Sequence, residues 1–332
     1  MKALVITSIA PDTNEVLRTY AKECGERNIH YVVIGDTKSP SDFVLDKCDY
    51  YSIESQQALP FELAKEIPTK HYARKNLGYL IAIKNGCTEI QETDDDNSPY
   101  ESFWEDKNKT PMATSFINEG WVNVYAYFTE YNIWARGFPL EELQRVPTEL
   151  DYLQVSLNVS PIQQGLADKN PDVDAIYRLT QKLPFNFSKH NRLALAKNSW
   201  HPFNSQNTVW FKEAFPLLYL PSYCSFRMTD IWRSYVAQRI AWECGWSIYY
   251  HEPTVFQERN EHNLMADFED EISGYVNNLN ICKELQALEL KQGVENIFEN
   301  LVTCYDKLIE LKVVDSKEMI LLNAWIGDLK NV

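Results

Sequence analysis

The first thirty-six residues constrain the fold more than anything after them. Ala3-Leu-Val-Ile-Thr-Ser-Ile9 is a continuous apolar run without alternation, the pattern of a strand buried on both faces. After a turn at Pro11-Asp12, Val16, Leu17, Tyr20, Ala21 and Cys24 recur at helical spacing, with Gly25 near the predicted helix end. Ile29 to Ile34 then repeats the buried-strand pattern and stops at Gly35-Asp36. Strand, helix and strand in that order form a β-α-β unit, whose crossover in a parallel sheet is almost always right-handed. The chain therefore opens as an α/β protein.

Downstream, Ala73 to Gly86 reads as a helix and Cys87 to Thr93 as a strand that ends on Asp94-Asp95-Asp96-Asn97. Open α/β sheets take ligands beyond the carboxyl ends of their strands, which nominates Ser8, Asp36 and the segment from Asp94 to Asn97. Trp121 to Leu166 alternates in short stretches between Pro and Gly breaks and predicts antiparallel strands. Asn170-Pro171-Asp172-Val173-Asp174 starts a helix with a cap, a first-turn proline and two acids. Thr229-Asp230 opens another helix, and from Phe268 onward the apolar spacing predicts a helical tail.

Charge divides the chain in two. Of a net charge of −15, residues 261–332 carry −8, from fourteen acids, six lysines and no arginine. A domain of residues 1–260 and an acidic, solvated or partner-facing helical tail of residues 261–332 are expected. The overall field repels nucleic acid and anionic membrane surfaces. Seven cysteines without a Cys-x-x-Cys pair read as buried thiols in a reducing compartment. Ala3 to Ile9 is too short for a signal core, and no stretch approaches the roughly 18 apolar residues of a span, so a cytoplasmic protein without a membrane span is expected.

The second acidic concentration is sharper. Eight acids, from Glu89 to Asp106, occur without a base between Lys84 and Lys107. Carboxylates at alternate positions of a strand end can hold a hard divalent cation, which picks Asp94 and Asp96 as ligands of Mn²⁺ or Mg²⁺. Upstream, Arg74 or Lys75 is suited to neutralise a diphosphate, and Asn76 to hydrogen-bond a base or sugar. Asp230 at a helix start serves the helix dipole or acts as a general base, while Asp172 and Asp174 lean to the dipole role. Six histidines show no zinc pattern; His251 and His262, flanking Glu258-Arg259-Asn260, are candidates for a metal or phosphate contact. Walker, dinucleotide and serine-nucleophile motifs are absent, as is the glycine- and arginine-rich loop of sugar nucleotidyltransferases after Leu4-Val-Ile6.

Several segments together resemble the STELLO-type glycosyltransferase family, within the broad GT-A nucleotide-sugar superfamily. They are Asn76 to Gly86 running into Glu92-Thr-Asp-Asp-Asp-Asn97, then Ile133-Trp-Ala-Arg-Gly-Phe-Pro-Leu140 and Pro171-Asp-Val-Asp-Ala-Ile-Tyr-Arg-Leu-Thr180. Asn204-Ser-Gln-Asn-Thr208 and Thr229-Asp-Ile-Trp-Arg-Ser-Tyr235 follow, with Gln238, Arg239 and Trp242. The pieces cover about residues 1 to 257 and leave the tail outside. Two features depart from the family pattern: no membrane anchor like that of the eukaryotic relatives is found, and Phe256-Gln257 follows Pro253-Thr-Val255 where the family has a histidine.

The resemblance implies a GT-A-like, Rossmann-type mixed sheet flanked by helices, with the tail as a C-terminal extension. It implies that Asp94 and Asp96 hold Mn²⁺ or Mg²⁺ against the diphosphate of a nucleotide sugar, with Asp95 and Asn97 toward the ribose or sugar. It makes Asp230 the catalytic base of an inverting enzyme, and Asp172, Asp174, Arg178 and Arg136 candidate substrate contacts. The expected activity is metal-dependent transfer from a UDP-sugar to a hydroxyl acceptor in glycan or surface polysaccharide synthesis. The alternatives are a sugar-nucleotide mutase and a non-catalytic scaffold with the same fold.

Overall fold

The computed structural model describes residues 1–258 and 263–332. β1 (Lys2–Thr7), α1 (Glu15–Arg27) and β2 (His30–Ile34) form the expected opening, with β1 and β2 parallel. Asn14 caps α1 by accepting from the Leu17 N–H, and the helix ends on Asn28 in the left-handed region, past Gly25. β3 (Asp49–Tyr51), α2 (Ile53–Gln57) and α3 (Glu62–Glu66) lead to α4 (Lys75–Lys84), after which β4 (Glu89–Thr93) pairs in parallel with β1. A Cβ at Gly78 would meet Val5 Cγ1 at 2.5 Å, so a side chain there would push α4 off β1.

The first strands lie in the order β3-β2-β1-β4. The chain builds outward from β1 on one side and then crosses to the other. Between β1 and β4 the connections diverge and leave the crevice in which such sheets bind ligands. β5 (Asn97–Pro99), β6 (Met112–Phe116), β7 (Gly120–Trp121), β8 (Gln154–Leu157) and β9 (Ile162–Asp168) follow in sequence. After them come β10 (Arg192–Leu195), β11 (Ser199–Trp200), β12 (Asn207–Phe211) and β13 (Ile248–Gln257). The large sheet runs β3-β2-β1-β4-β12-β9-β13-β10-β6-β8, with β5 paired to β13. It is mixed: β12 is antiparallel to β4 and β9, while β9 is parallel to β13. The antiparallel expectation for residues 121–166 holds for β8 against β6 and β9 against β12, but β7 pairs in parallel with β11 outside the main sheet.

Helices α5 (Ala175–Thr180) and α6 (Thr229–Glu243) precede the tail helices α7 (Leu264–Ala287), α8 (Ile297–Glu310) and α9 (Glu318–Lys330). α6 is buried from Thr229 to Trp242, so its polar groups need internal partners. Trp232 donates to Asn278 on α7 at 2.9 Å, and Arg239 donates to the Leu285 carbonyl at 2.9 Å. Arg233 donates to both oxygens of Glu92 on β4, at 3.0 and 2.8 Å.

The tail is not a solvated appendage. Leu285, Leu301, Leu308, Leu322 and Trp325 share one apolar cluster with Val5, Leu77 and Ile162. Its acids divide accordingly: Glu271, Glu318 and Asp328 are buried and hydrogen-bonded, and the Asp328 carboxylate accepts from the backbone N–H groups of Glu62 and Leu63 at 2.9 Å each. The expected junction between residues 260 and 261 falls outside the described residues. Among the described residues no helix is long and apolar enough to cross a membrane.

Candidate active site

A cleft of about 530 Å³ opens at the crevice between β1 and β4. Residues 7–9 after β1, residues 34–38 after β2, the approach to α4 and the acidic turn after β4 form one side. Arg136, Asp172, Arg178, Arg227 and Asp230 line the other. Three strand ends proposed from sequence thus meet at one place, and Ser8, Asp36, Arg74, Asp94, Asp95 and Asp96 all reach it.

The acids are not arranged as alternate strand positions. β4 stops at Thr93, and the Asn97 N–H closes a turn on the Asp94 carbonyl at 3.3 Å. From that turn each carboxylate meets a different partner. Asp94 accepts from Lys75 Nζ at 3.2 Å, Asp95 from the Ser8 hydroxyl, and Asp96 from Gln257 Nε2 at 3.1 and 3.0 Å. Desolvation in the cleft raises the Asp94 carboxyl to about 7, with Asp96 and Asp95 adding to the rise and Lys75 opposing it. Desolvation likewise raises Asp95, against the Ser8 hydrogen bond. Crowded carboxylates facing a cleft are the environment that a cation relieves.

Among the described residues no group of three or more His, Cys, Asp or Glu side chains is disposed to hold a metal. Mg²⁺ and Mn²⁺ commonly take one or two carboxylates and fill the remaining positions with water and substrate phosphates, and Asp94 and Asp96 are the carboxylates that this turn brings to the cleft with Asp95.

Across the cleft Arg136 is clamped between two acids. It donates to both oxygens of Asp172, at 2.8 and 2.9 Å, and to both oxygens of Asp230, at 3.0 Å each. Asp230 also accepts from the Tyr72 hydroxyl at 3.1 Å and the Ser205 N–H at 3.2 Å. Desolvation alone would raise its pKa, but the charge and hydrogen bonds of Arg136 outweigh it and hold Asp230 well below the ordinary carboxylate range. So weak a proton acceptor, already bonded on both oxygens, is not suited to the catalytic-base role expected from sequence. It anchors Arg136 instead. Gly137, at φ +90°, lets the chain pass Ile231 at this point, where a side chain would collide.

Other expectations need correction. Asn76 is buried and tethers Leu220, donating to its carbonyl at 2.8 Å and accepting its N–H at 2.9 Å, so it holds a loop rather than a base. Asn97 is buried against Gln206, whose amide donates to it at 3.2 Å, and it does not line the cleft. Asp174 caps α5, accepting from the Tyr177 N–H at 2.7 Å and from Trp134 Nε1 at 2.6 Å. The dipole reading holds for it. His251 lies on β13 away from the cleft, its Nδ1 2.9 Å from the Glu252 carbonyl. His262 falls outside the described residues.

Burial lowers the His251 pKa from 6.5 to about 4, assisted by Lys107. The folded state therefore favours the neutral ring, and the stability this gives is present above pH 6.5 and lost as pH falls through 4. In a His251→Gln variant the deficit in Tm relative to the parent should narrow between pH 6.5 and pH 4. A deficit constant across that range counts against the buried neutral histidine.

Sequence reasoning missed His71, Tyr72 and Phe226 as cleft residues, and it offered Arg74 or Lys75 for a diphosphate without pairing either with the acidic turn. Lys75, fully buried, is the one that reaches Asp94. The available signal was position: His71 to Lys75 run directly into the helix that precedes the acidic strand.

A family model described as STELLO glycosyltransferases matches residues 227–332. Across 98% of its length the chain is 28% identical to a protein of Arabidopsis thaliana named "Probable glycosyltransferase STELLO2" and 27% identical to "Probable glycosyltransferase STELLO1". The chain is thus similar along nearly its whole length to two plant proteins named as probable glycosyltransferases. It spans 44% of the length of either plant protein. The similarity to STELLO proteins does not stop near residue 257, as the motifs alone suggest: the matched segment contains α6 and the whole tail. A solved structure of a mycobacterial protein aligns with a TM-score of 0.45 and 9% identity, over 84% of this chain and 75% of that one, a likeness too slight to bear on function.

Proposed function

We propose that the chain is a metal-dependent glycosyltransferase of GT-A type that moves a sugar from a nucleoside-diphosphate sugar, UDP-sugar first, to a hydroxyl acceptor in glycan or surface polysaccharide synthesis. The observation that carries this reading is the turn Asp94 to Asp96, facing a cleft at the point where strand order reverses, in a chain similar to proteins named as probable glycosyltransferases. Asp94 and Asp96 would hold Mn²⁺ or Mg²⁺, which when bound neutralises the charge developing on the departing diphosphate. Ser8 orients Asp95, Lys75 keeps Asp94 at the cleft floor, and Gln257 fixes Asp96 from β13. Arg178 lines the other wall, which Arg136 ties together through Asp172, Asp230 and the Arg227 carbonyl.

Calorimetric titration with UDP, GDP, CDP and dTDP, with and without Mn²⁺, tests the reading and identifies the base. UDP is expected to bind at least tenfold more tightly with Mn²⁺. The absence of metal-dependent binding in every titration leaves the scaffold reading standing, which the Lys75–Asp94 contact favours because that lysine already supplies a counter-charge. A new ring form of a UDP-sugar, without free UDP, would instead establish the mutase.

A further inference from the structure

Arg74 is 2% exposed, lines the cleft, and is incompletely satisfied. Its Nε donates to Gln56 Oε1 at 2.7 Å, and Nη1 donates to the carbonyls of Ile67 and Pro68 at 3.0 and 3.2 Å. Its Nη2 is buried and has no hydrogen-bond partner among the described residues. Every acceptor it does reach is neutral. Asp36 acts on it only through space, its carboxylate being engaged by the N–H groups of Thr37, Lys70 and His71. A buried guanidinium that lacks a bonded anion is costly, and one that faces a cleft can be completed by whatever enters it.

Three residues earlier the same segment presents a second orphaned donor. His71 Nδ1 accepts from the Ala73 N–H at 3.1 Å, so in the neutral ring the proton sits on Nε2. Burial keeps the ring neutral, with its pKa lowered to about 4. That Nε2 is buried without a partner among the described residues, and His71 also lines the cleft. Lys38 and Lys70 stand exposed on the same side. In a protein of net charge −15 these four residues bring cationic and donor groups to the wall that also carries the acidic turn, and the carboxylate of Asp36 among them is taken up by backbone N–H groups.

We propose that His71 and Arg74 form an anion subsite that works without a metal, binding the oxygens of a phosphate or carboxylate group through His71 Nε2–H and Arg74 Nη2–H. Two donors without an acceptor select a group that only accepts, and the guanidinium selects a negative one. The cleft lining thus holds both an acidic turn suited to a cation and a donor pair suited to an anion. The subsite deepens the glycosyltransferase reading and rests on it for the natural occupant of the cleft, but its own test uses no metal.

The test is calorimetry in excess EDTA with pyrophosphate, glucuronate and uridine as probes. Pyrophosphate is expected to bind the parent protein and to lose at least tenfold in affinity in Arg74→Gln. His71→Phe, which keeps a ring and leaves Arg74 in place, is expected to lose three- to tenfold and serves if Arg74→Gln fails to fold. Pyrophosphate binding assigns the site to phosphate and glucuronate binding to a sugar carboxylate; either supports the proposal if the variants weaken it. Binding of uridine alone, no binding of either anion in EDTA, or anion binding unchanged in the folded variants overturns it. Loss of Mn²⁺-dependent UDP binding without loss of metal-free pyrophosphate binding would sink the metal reading and spare this one.

Discussion

Arg233→Met is expected to lower folding stability by about 3–5 kcal/mol, measured by denaturant unfolding. The pair it breaks is deeply buried, with Arg233 and Glu92 side chains 1% and 0% exposed. Glu92 also accepts from Trp210 Nε1 at 2.8 Å and from the Tyr79 hydroxyl. Removing the guanidinium strands a carboxylate among apolar neighbours, with two neutral donors in place of a charge. The companion Arg233→Met/Glu92→Gln should recover most of the loss, since no bare charge then remains. A single-variant loss below about 1 kcal/mol, or a double variant no better than the single, contradicts this account. The pair also ties α6 to β4. Arg233 lies one helical turn from Asp230, and Glu92 lies two residues before Asp94, so it spans the two walls of the cleft.

The second large effect is functional. Asp94→Asn/Asp96→Asn should remove Mn²⁺-dependent nucleotide affinity by about a hundredfold or more, because cation affinity in oxygen sites follows the count of ligand charges. An amide at Asp94 relieves the repulsion from Asp96 and fills the space, but it leaves the buried Lys75 ammonium with the Thr93 carbonyl at 2.9 Å in place of a carboxylate, so some stability is lost with it. Unchanged Mn²⁺-dependent UDP affinity in the double variant would remove the central claim. A large loss of stability would reassign the turn from ligand binding to structure.

The pattern of what was legible follows from physical range. β1, α1 and β2 were readable because their signals are local: an unbroken apolar run, a 3.6-residue period and a turn. Asp94 to Asp96 were readable because a strand end exposes whatever follows it. Asn76 and Asp230 were misread because their roles depend on residues far away in sequence. The Asn76 amide meets Leu220, and the basicity of Asp230 is set by Arg136, ninety-four positions earlier. The tail was misread because its charge was counted without its pairing: Glu271, Glu318 and Asp328 contribute to a net of −8 yet lie inside the molecule. Arg74 was nominated for its charge and its place before α4, whereas His71 carries no motif and only its orphaned donor beside a cavity marks it.

The hydrogen bonds from the Glu62 and Leu63 amides to Asp328 join positions more than 260 residues apart. On a ribosome the segment that leads from β3 to His71 and Arg74 is made well before Asp328, so its helix start waits for a partner more than 260 residues downstream. Until α9 is made, the apolar face that it covers at α3 has no native partner, and the nascent chain is exposed to wrong pairings over that long interval. Chains cut short within α9 should therefore accumulate as aggregates or chaperone-bound intermediates rather than as slightly shortened proteins.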